Sequence, residues 1–435
     1  MYKKRLLIMQ PIKSDQKQTT LTPSYLLQPT GQHYVGYQDI ILQKLNLRIY
    51  YPSDQKLSQK FHYNPKGVAK WQADIRAEKM DTLEIKHIES LSQLTSYSQE
   101  KLRIIKKKCP VIYFAPGMDS SSLDYENILC ELASHGYIIV GLDNTNIQNK
   151  TPQKVHRELM DIYQHIRVYH HENELFLRMD LNRIGLLGHS LGGVAVILAA
   201  QQQPHLFHAM AALDAPADLP QRVCCFYRPP TYDVRQAFSI PAMQMHSATW
   251  LKVYSAGKQT YTGKGRFLVG KNGYHVVLST ISSLWSDSDH NNFCDRSTLQ
   301  KHPAIQAFNN DPKVRHKYQA FMEAGCVSPL QLGSADGYQI ARTINQYIIG
   351  FYATFLQQEK IPLFLNKSEV PDHSHFLAWS KPQLPEKAEA KISSSIPLML
   401  DGIISRDKNN HKENAISLPN QQKDEGPKRC PCVIL

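Results

Sequence analysis

One serine in this chain lies in a setting that suits a nucleophile. Gly188-His189-Ser190-Leu191-Gly192 is a G-x-S-x-G motif. The apolar run Arg183-Ile184-Gly185-Leu186-Leu187 precedes it, and the small residues Gly193-Val194-Ala195 follow. Between a strand and a helix, this motif makes a tight turn that strains the serine and exposes its hydroxyl. Gly188 and Gly192 are required because a Cβ at either place would clash with the neighbouring strand or helix. The chemistry is acyl transfer, with the helix N-terminus behind Ser190 favouring negative charge at the reacting centre.

A serine nucleophile needs a base, and the base needs an orienting carboxylate. After a nucleophile elbow the chain order is serine, acid, histidine. The strand-like run Ala209-Met210-Ala211-Ala212-Leu213 leads into Asp214, which places that carboxylate at the active edge of a parallel sheet. Asp218 is its competitor. Two histidines compete for the base. His275 starts an apolar run and so falls at its wrong end, whereas His290 follows the run in a polar loop, Ser286 to Asp295. An oxyanion hole needs two backbone N–H groups. Leu191, just after the nucleophile, supplies one, and Met118, in the Pro116-Gly117-Met118 loop, supplies the other.

The elements that must position these groups alternate. Strand patterns cover Leu45–Tyr51, Pro110–Ala115, Tyr137–Leu142, Arg183–Leu187, Ala209–Leu213 and Ala242–His246, with a further strand at Phe267–Val269 or at His275–Ile281. Pro52-Ser53-Asp54 is expected to stop the first. Helical patterns cover Tyr125–Ser134, closed by His135-Gly136, and then Gln153–Val168, Ser190–Gln202 and a terminal helix, Ala341–Gln358. Strands and helices alternating at these lengths imply an α/β class fold, a mostly parallel central sheet covered by helices on both faces. Residues 1–28 read as a flexible arm, 29–380 as one catalytic domain, with an excursion between strands over 55–100, and 381–435 as a flexible polar tail.

With these residues in this order, the chain resembles the platelet-activating factor acetylhydrolase family, the serine-dependent group VII phospholipase A2 type of α/β-hydrolase. The likeness runs over roughly residues 29–360. It rests on Gly36-Tyr37-Gln38-Asp39 with Leu47–Pro52, on Pro110–Phe114 with Leu132–Ile139, on Asp180–Gly193, on Ala212–Ala215 and on His290–Asp295. The resemblance implies an α/β-hydrolase fold, a Ser190–Asp214–His290 triad with Met118 and Leu191 as oxyanion donors, and calcium-independent hydrolysis of short or oxidised sn-2 acyl chains of phospholipids. It favours His290 over His275. Pro116 stands where a histidine is common, Pro216 where a tryptophan is common, and the stretch 282–289 is longer than usual. These departures bear on acyl-chain preference more than on chemistry. On the same fold the alternatives are a thioesterase, a neutral-lipid lipase or an acyltransferase, and, from a different class, a catalytically silent membrane-tethered binding module. A serine triad works without metal or cofactor, so neither is expected.

Composition narrows the partners. Hydrophobic residues make up 42% and charged residues 20% of 435, which excludes wholesale disorder. No run of about 18 apolar residues exists, so no transmembrane helix is expected. Leu6–Met9 is too short for a secretory signal. The eight cysteines form no C-x-x-C pair and are expected as reduced thiols. Lys plus Arg is 50 against 38 Asp plus Glu, a net +12. Such an excess suits nucleic acid or an anionic membrane. The densest run, Lys101–Lys108, leads into a buried strand and carries no nucleic-acid recognition motif, so no nucleic-acid partner is expected. The final Cys432-Val433-Ile434-Leu435 matches a CaaX box, whose last Leu favours geranylgeranylation by a cellular or host prenyltransferase. Cys430 would take a palmitoyl group as a second anchor. The expected location is the cytosolic face of a eukaryotic membrane, for a eukaryotic protein or for a bacterial effector delivered into a host cell, with membrane phospholipid as the substrate.

Overall fold

The computed structural model describes residues 25–42, 45–58, 61–63, 90, 94–118, 120–143, 151–215, 238–247, 276–280, 290–312, 336–359 and 375–376. In chain order the strands are β1 (Tyr34–Leu42), β2 (Leu45–Ser53), β3 (Phe61–His62), β4 (Thr95–Ser96), β5 (Ser98–Glu100), β6 (Cys109–Ala115), β7 (Ile138–Leu142), β8 (Met179–His189), β9 (Ala209–Leu213), β10 (Ala242–His246), β11 (Val276–Thr280) and β12 (His375–Phe376). The α-helices are α1 (Glu126–Ser134), α2 (Pro152–Val168), α3 (Glu174–Leu177), α4 (Leu191–Gln202), α5 (Arg296–Leu299), α6 (Pro303–Asn310) and α7 (Gly337–Leu356).

Ten of the strands form one sheet in the order β12-β11-β10-β9-β8-β6-β7-β2-β1-β5. From β7 to β11 every neighbouring pair is parallel, and β2 joins β7 antiparallel. The chain goes from β6 to β7 on one side and then crosses to β8 on the other. The carboxyl ends of β6 and β8 therefore meet at a topological switch point, where α/β sheets place their sites.

Alternate residues of each parallel strand feed two separate cores, as the two-residue period requires. Val111, Tyr113, Val140, Leu186 and Met210 pack with Val155, Leu159, Ile162 and Ile166 of α2 and with Val194, Ala195 and Ile197 of α4. Ile112, Phe114, Ile139, Leu187 and Ala211 face the other way, onto Ile128, Leu129 and Leu132 of α1 and Ile344, Ile348 and Phe351 of α7. Helices on both faces and a mostly parallel sheet give the α/β-hydrolase fold expected from the sequence. α4 lies beneath the sheet's central strands, and its residues from Leu191 to Ala200 are all buried. That burial explains its unbroken run of small and apolar residues.

Several boundaries differ from the sequence reading. β2 continues through Pro52 and Ser53. Its pairing with β7 stops at Tyr50, so the N–H that Pro52 lacks is not needed on that side. Part of the 55–100 excursion returns to the sheet, where β5 pairs parallel with β1 at the edge. α7 begins four residues before Ala341 because the Asp336 carboxylate accepts from Tyr338 N (2.9 Å) and Gln339 N (3.2 Å). The expected flexible arm, 1–28, is wrong for its last residues. Leu26 and Leu27 are buried, and Leu27 N donates to Asn127 Oδ1 at 2.7 Å. Just beyond, Thr30 N donates to Glu131 Oε2 at 2.9 Å. These bonds satisfy polar groups of α1 that its sequence leaves facing protein. The expected strand at Phe267–Val269, the competitors Asp218 and His275, and the tail with Cys430 and Cys432 lie outside the described residues. Among the described residues, no helix is long and apolar enough to cross a membrane.

Candidate active site

Ser190 ends the run of β8 and opens α4. Its backbone stands at φ 55°, ψ −119°, a positive-φ conformation that is strained for a residue with a Cβ. Ser190 N donates to Leu213 O at 2.9 Å, and Ser190 O accepts from Val194 N at 3.1 Å, so both ends of the turn are fixed. The two glycines of the motif have steric reasons. A Cβ on Gly188 would overlap the Gly192 carbonyl, and a Cβ on Gly192 would overlap the Ala115 carbonyl of β6.

Asp214 is the first residue after β9, the strand next to β8. It too has a positive φ, 46°, and its N–H donates to Met245 O of β10 at 2.6 Å. The carboxylate is fully buried. It accepts from Ser247 N (2.6 Å), from Ser247 Oγ (2.8 Å) and from His290 Nδ1 (2.7 Å). A proton carried on His290 Nδ1 would make this bond and leave Nε2 with its lone pair. Asp214 and His290 are 76 residues apart in the chain, and the fold brings them into hydrogen-bond contact.

The loop after β6 completes the site. A Cβ on Gly117 would stand 3.5 Å from Ser190 Cβ, so the loop passes directly beside the serine. Met118 follows, half-buried against the core that contains α4. Leu191 is the first residue of α4, where an amide has no acceptor within the helix. Met118 and Leu191, the expected oxyanion donors, thus belong to the two segments that adjoin Ser190.

Around this lies a layer that motif reading missed. Ser247 holds the acid through two bonds. It directly follows β10, so its place at the carboxyl edge was the available signal. His189 is buried beside Ser190, its ring 4.5 Å from that of His290 and its Nδ1 2.8 Å from Tyr125 Oη. Burial and the neighbouring His290 hold its pKa well below the ordinary histidine value, so it is neutral. Asp295, five residues past His290, accepts from Glu126 N (2.7 Å), Asn127 N (2.9 Å) and Tyr63 Oη (2.9 Å). It caps α1 from across the chain. Burial pushes its carboxyl up to about 8, and that of neighbouring Glu126 up to about 6. No local pattern announces Asp295, because its partners are distant in sequence. Among the described residues no cluster of His, Cys, Asp and Glu is arranged to hold a metal.

Comparison with known proteins fits this geometry. The family model described as platelet-activating factor acetylhydrolase, isoform II, matches residues 17–178. A second model, described as PET hydrolase-like, matches residues 105–264. The first stops before Ser190, and the second includes Ser190 and Asp214 but not His290. A putative non-heme haloperoxidase of Mycobacterium phage D29 is 30% identical over 106 residues, which cover 24% of this chain and 36% of that protein. The match thus spans about a third of that relative's length. A ferulic acid esterase from Streptomyces cinnamoneus superposes with a TM-score of 0.55 at 15% identity, over 81% of this chain and 99% of the other. That likeness shows the fold, and the chain is an α/β-hydrolase by architecture. The two family matches together support a serine hydrolase of the esterase kind.

Proposed function

We propose that this chain is a serine esterase that hydrolyses acyl esters of phospholipids, with short or sn-2 chains preferred. The observation that carries the reading is the His290–Asp214 hydrogen bond, formed on the sheet edge where Ser190 stands in a strained elbow. Ser190 Oγ attacks the ester carbonyl while its proton passes to His290 Nε2. The tetrahedral oxyanion is met by Met118 N–H and Leu191 N–H. His290 then gives the proton to the leaving lysophospholipid oxygen, and the C–O bond breaks. Water, deprotonated by the same Nε2, attacks the acyl-serine; the acyl–Oγ bond breaks, His290 returns the proton to Ser190 Oγ, and the free acid leaves as its carboxylate. Asp214 keeps the imidazole oriented and stabilises its charged form.

The phospholipid part of the proposal draws on the acetylhydrolase match over 17–178. The PET hydrolase-like match, which contains the elbow and the acid, favours a second reading, an esterase for non-phospholipid esters. A panel of phospholipids with graded sn-2 chains, run beside p-nitrophenyl and aromatic esters, decides between them. A kcat/KM for short-chain phospholipids at or below that for the simple esters overturns the phospholipid reading. Prenylation at Cys432, with Cys430 as second anchor, belongs to the same proposal and would keep the enzyme at its substrate. Unchanged membrane association of a Cys432→Ser chain in eukaryotic cells would remove it.

A further inference from the structure

Tyr125 has no part in the bond-making steps, yet its hydroxyl lies at the junction of the two segments that supply the oxyanion donors. The residue closes the turn Ser122–Tyr125, and its side chain is buried edge-on against Phe114 of β6. Gly117 N–H donates to Tyr125 Oη at 3.1 Å, and the same oxygen lies 2.8 Å from His189 Nδ1. Gly117 precedes Met118, and His189 precedes Ser190 and Leu191. One hydroxyl therefore bridges the loop after β6 to the elbow.

We infer that Tyr125 is a positioning residue, whose hydroxyl sets the spacing between Met118 N–H and Leu191 N–H by holding Gly117 and His189 together. The inference rests on the esterase reading of the site. Gly117 has no side chain to pack, so hydrogen bonds hold its loop: its N–H donates to Tyr125 Oη at 3.1 Å, and its carbonyl, which shares a peptide with the Met118 amide, accepts from Ser120 N at 3.3 Å. Without the bond to Tyr125, the longer of these two remains. An oxyanion donor works only near 2.7–3.1 Å from the developing charge, and small displacements cost much of its effect.

Tyr125 Oη accepts from Gly117 N–H, and its contact with His189 Nδ1 runs in the direction that the imidazole tautomer sets. Burial and the adjacent His290 keep that imidazole neutral. Burial likewise keeps the Tyr125 phenol protonated, well above its ordinary value.

The test uses the full-length chain with p-nitrophenyl acetate as substrate and a trifluoromethyl ketone as the tetrahedral oxyanion mimic. For Tyr125→Phe, kcat falls about tenfold, equivalent to ~1.4 kcal/mol, and KM stays within about twofold. Affinity for the ketone falls by the same factor as kcat/KM. His189→Phe reproduces the defect, and His189→Asn, which keeps a hydrogen-bonding group near the Nδ1 position, restores most of kcat. Tyr125→Phe with His189→Phe is no worse than either alone, because both break one bridge. A lowered melting temperature with unchanged kcat and unchanged ketone affinity overturns the inference and leaves Tyr125 a packing residue. If Tyr125→Phe does not fold, the His189→Phe and His189→Asn pair decides by the same two readouts. If Ser190→Ala keeps full activity, the esterase reading itself fails. If Ser190 is required while these variants behave as wild type, that reading stands and only the positioning role falls.

Discussion

Ser190 and Asp214 are held by backbone, whereas His290 is held largely by buried polar contacts. The serine and the acid each stand one residue past a strand of the parallel sheet, with main-chain bonds to the neighbouring strand. Their places follow from the strand ladder. His290 opens the turn His290–Phe293, which has no strand of its own. The Asp214 carboxylate and the ring of His189 meet it directly, and the Asp295 carboxylate seated on the N-terminus of α1 anchors the segment that follows it. A ladder is insensitive to pH, and a buried carboxylate is not. The nucleophile side of the site is therefore the rigid part, and the base side depends on charge and hydrogen bonding.

The largest effect tests the rigid side. Ser190→Ala is expected to lower kcat by at least about 10⁴-fold and to abolish fluorophosphonate labelling, with an unchanged or higher melting temperature, since a strained residue is relieved. Labelling that survives would show another serine to be the reactive one. Asp214→Asn comes next, about 10³- to 10⁴-fold in kcat, because an amide that donates toward Nδ1 favours the wrong imidazole tautomer. A loss below tenfold would mean that His290 is oriented without the acid, and the contrast between the two sides would weaken.

On the base side, Asp295→Ala removes the acceptor for three donors and a helix cap. A loss of about 3 kcal/mol in unfolding free energy is expected, measured by denaturant titration, together with a fall in kcat. A variant that loses stability but keeps kcat would show that Asp295 does not help to hold His290. Ser247→Ala deletes one of the bonds to Asp214 but leaves the backbone donor, so about 1 kcal/mol and a several-fold drop in kcat are expected.

A further expected effect is a slope in stability with pH. Folded-state values raised to about 8 for Asp295 and about 6 for Glu126 mean that the folded protein binds more protons than the unfolded chain between those values and the ordinary carboxylate range. Both groups favour the fold fully below the ordinary carboxylate values. That contribution is lost as pH rises through about 6 and then about 8. Denaturation midpoints should decline over that span, and Asp295→Asn should flatten the upper part. A midpoint that rises with pH there would refute the assignment.

How much of this was legible in the chain follows the same division. Ser190 shows itself within five residues, because strand, sharp turn and small-residue helix are local demands. Asp214 shows itself because a strand pattern ends on it. His290 could be chosen over His275 only by asking which end of an apolar run faces the active edge. Ser247 offers the same signal more faintly, as a serine after a strand. Tyr125 and Asp295 offer none. Asp295 meets its α1 partners 168 and 169 residues away, and Tyr125 meets His189 64 residues away. The last residues of the expected arm were misread because their polar bonding groups are satisfied by α1, which their own sequence does not contain.

The sequence by itself determined the alternation of strands and helices, the elbow and the chain order Ser190, Asp214, His290 in which the candidate site is laid out. Those depend on side-chain period and on steric limits at one turn. The tertiary structure decided which strands are neighbours, how β6 and β8 come to share an active edge, and which buried groups hold the loops in place. Hydrogen bonds between distant segments form only once the hydrophobic cores have set the spacing, so their partners cannot be read along the chain.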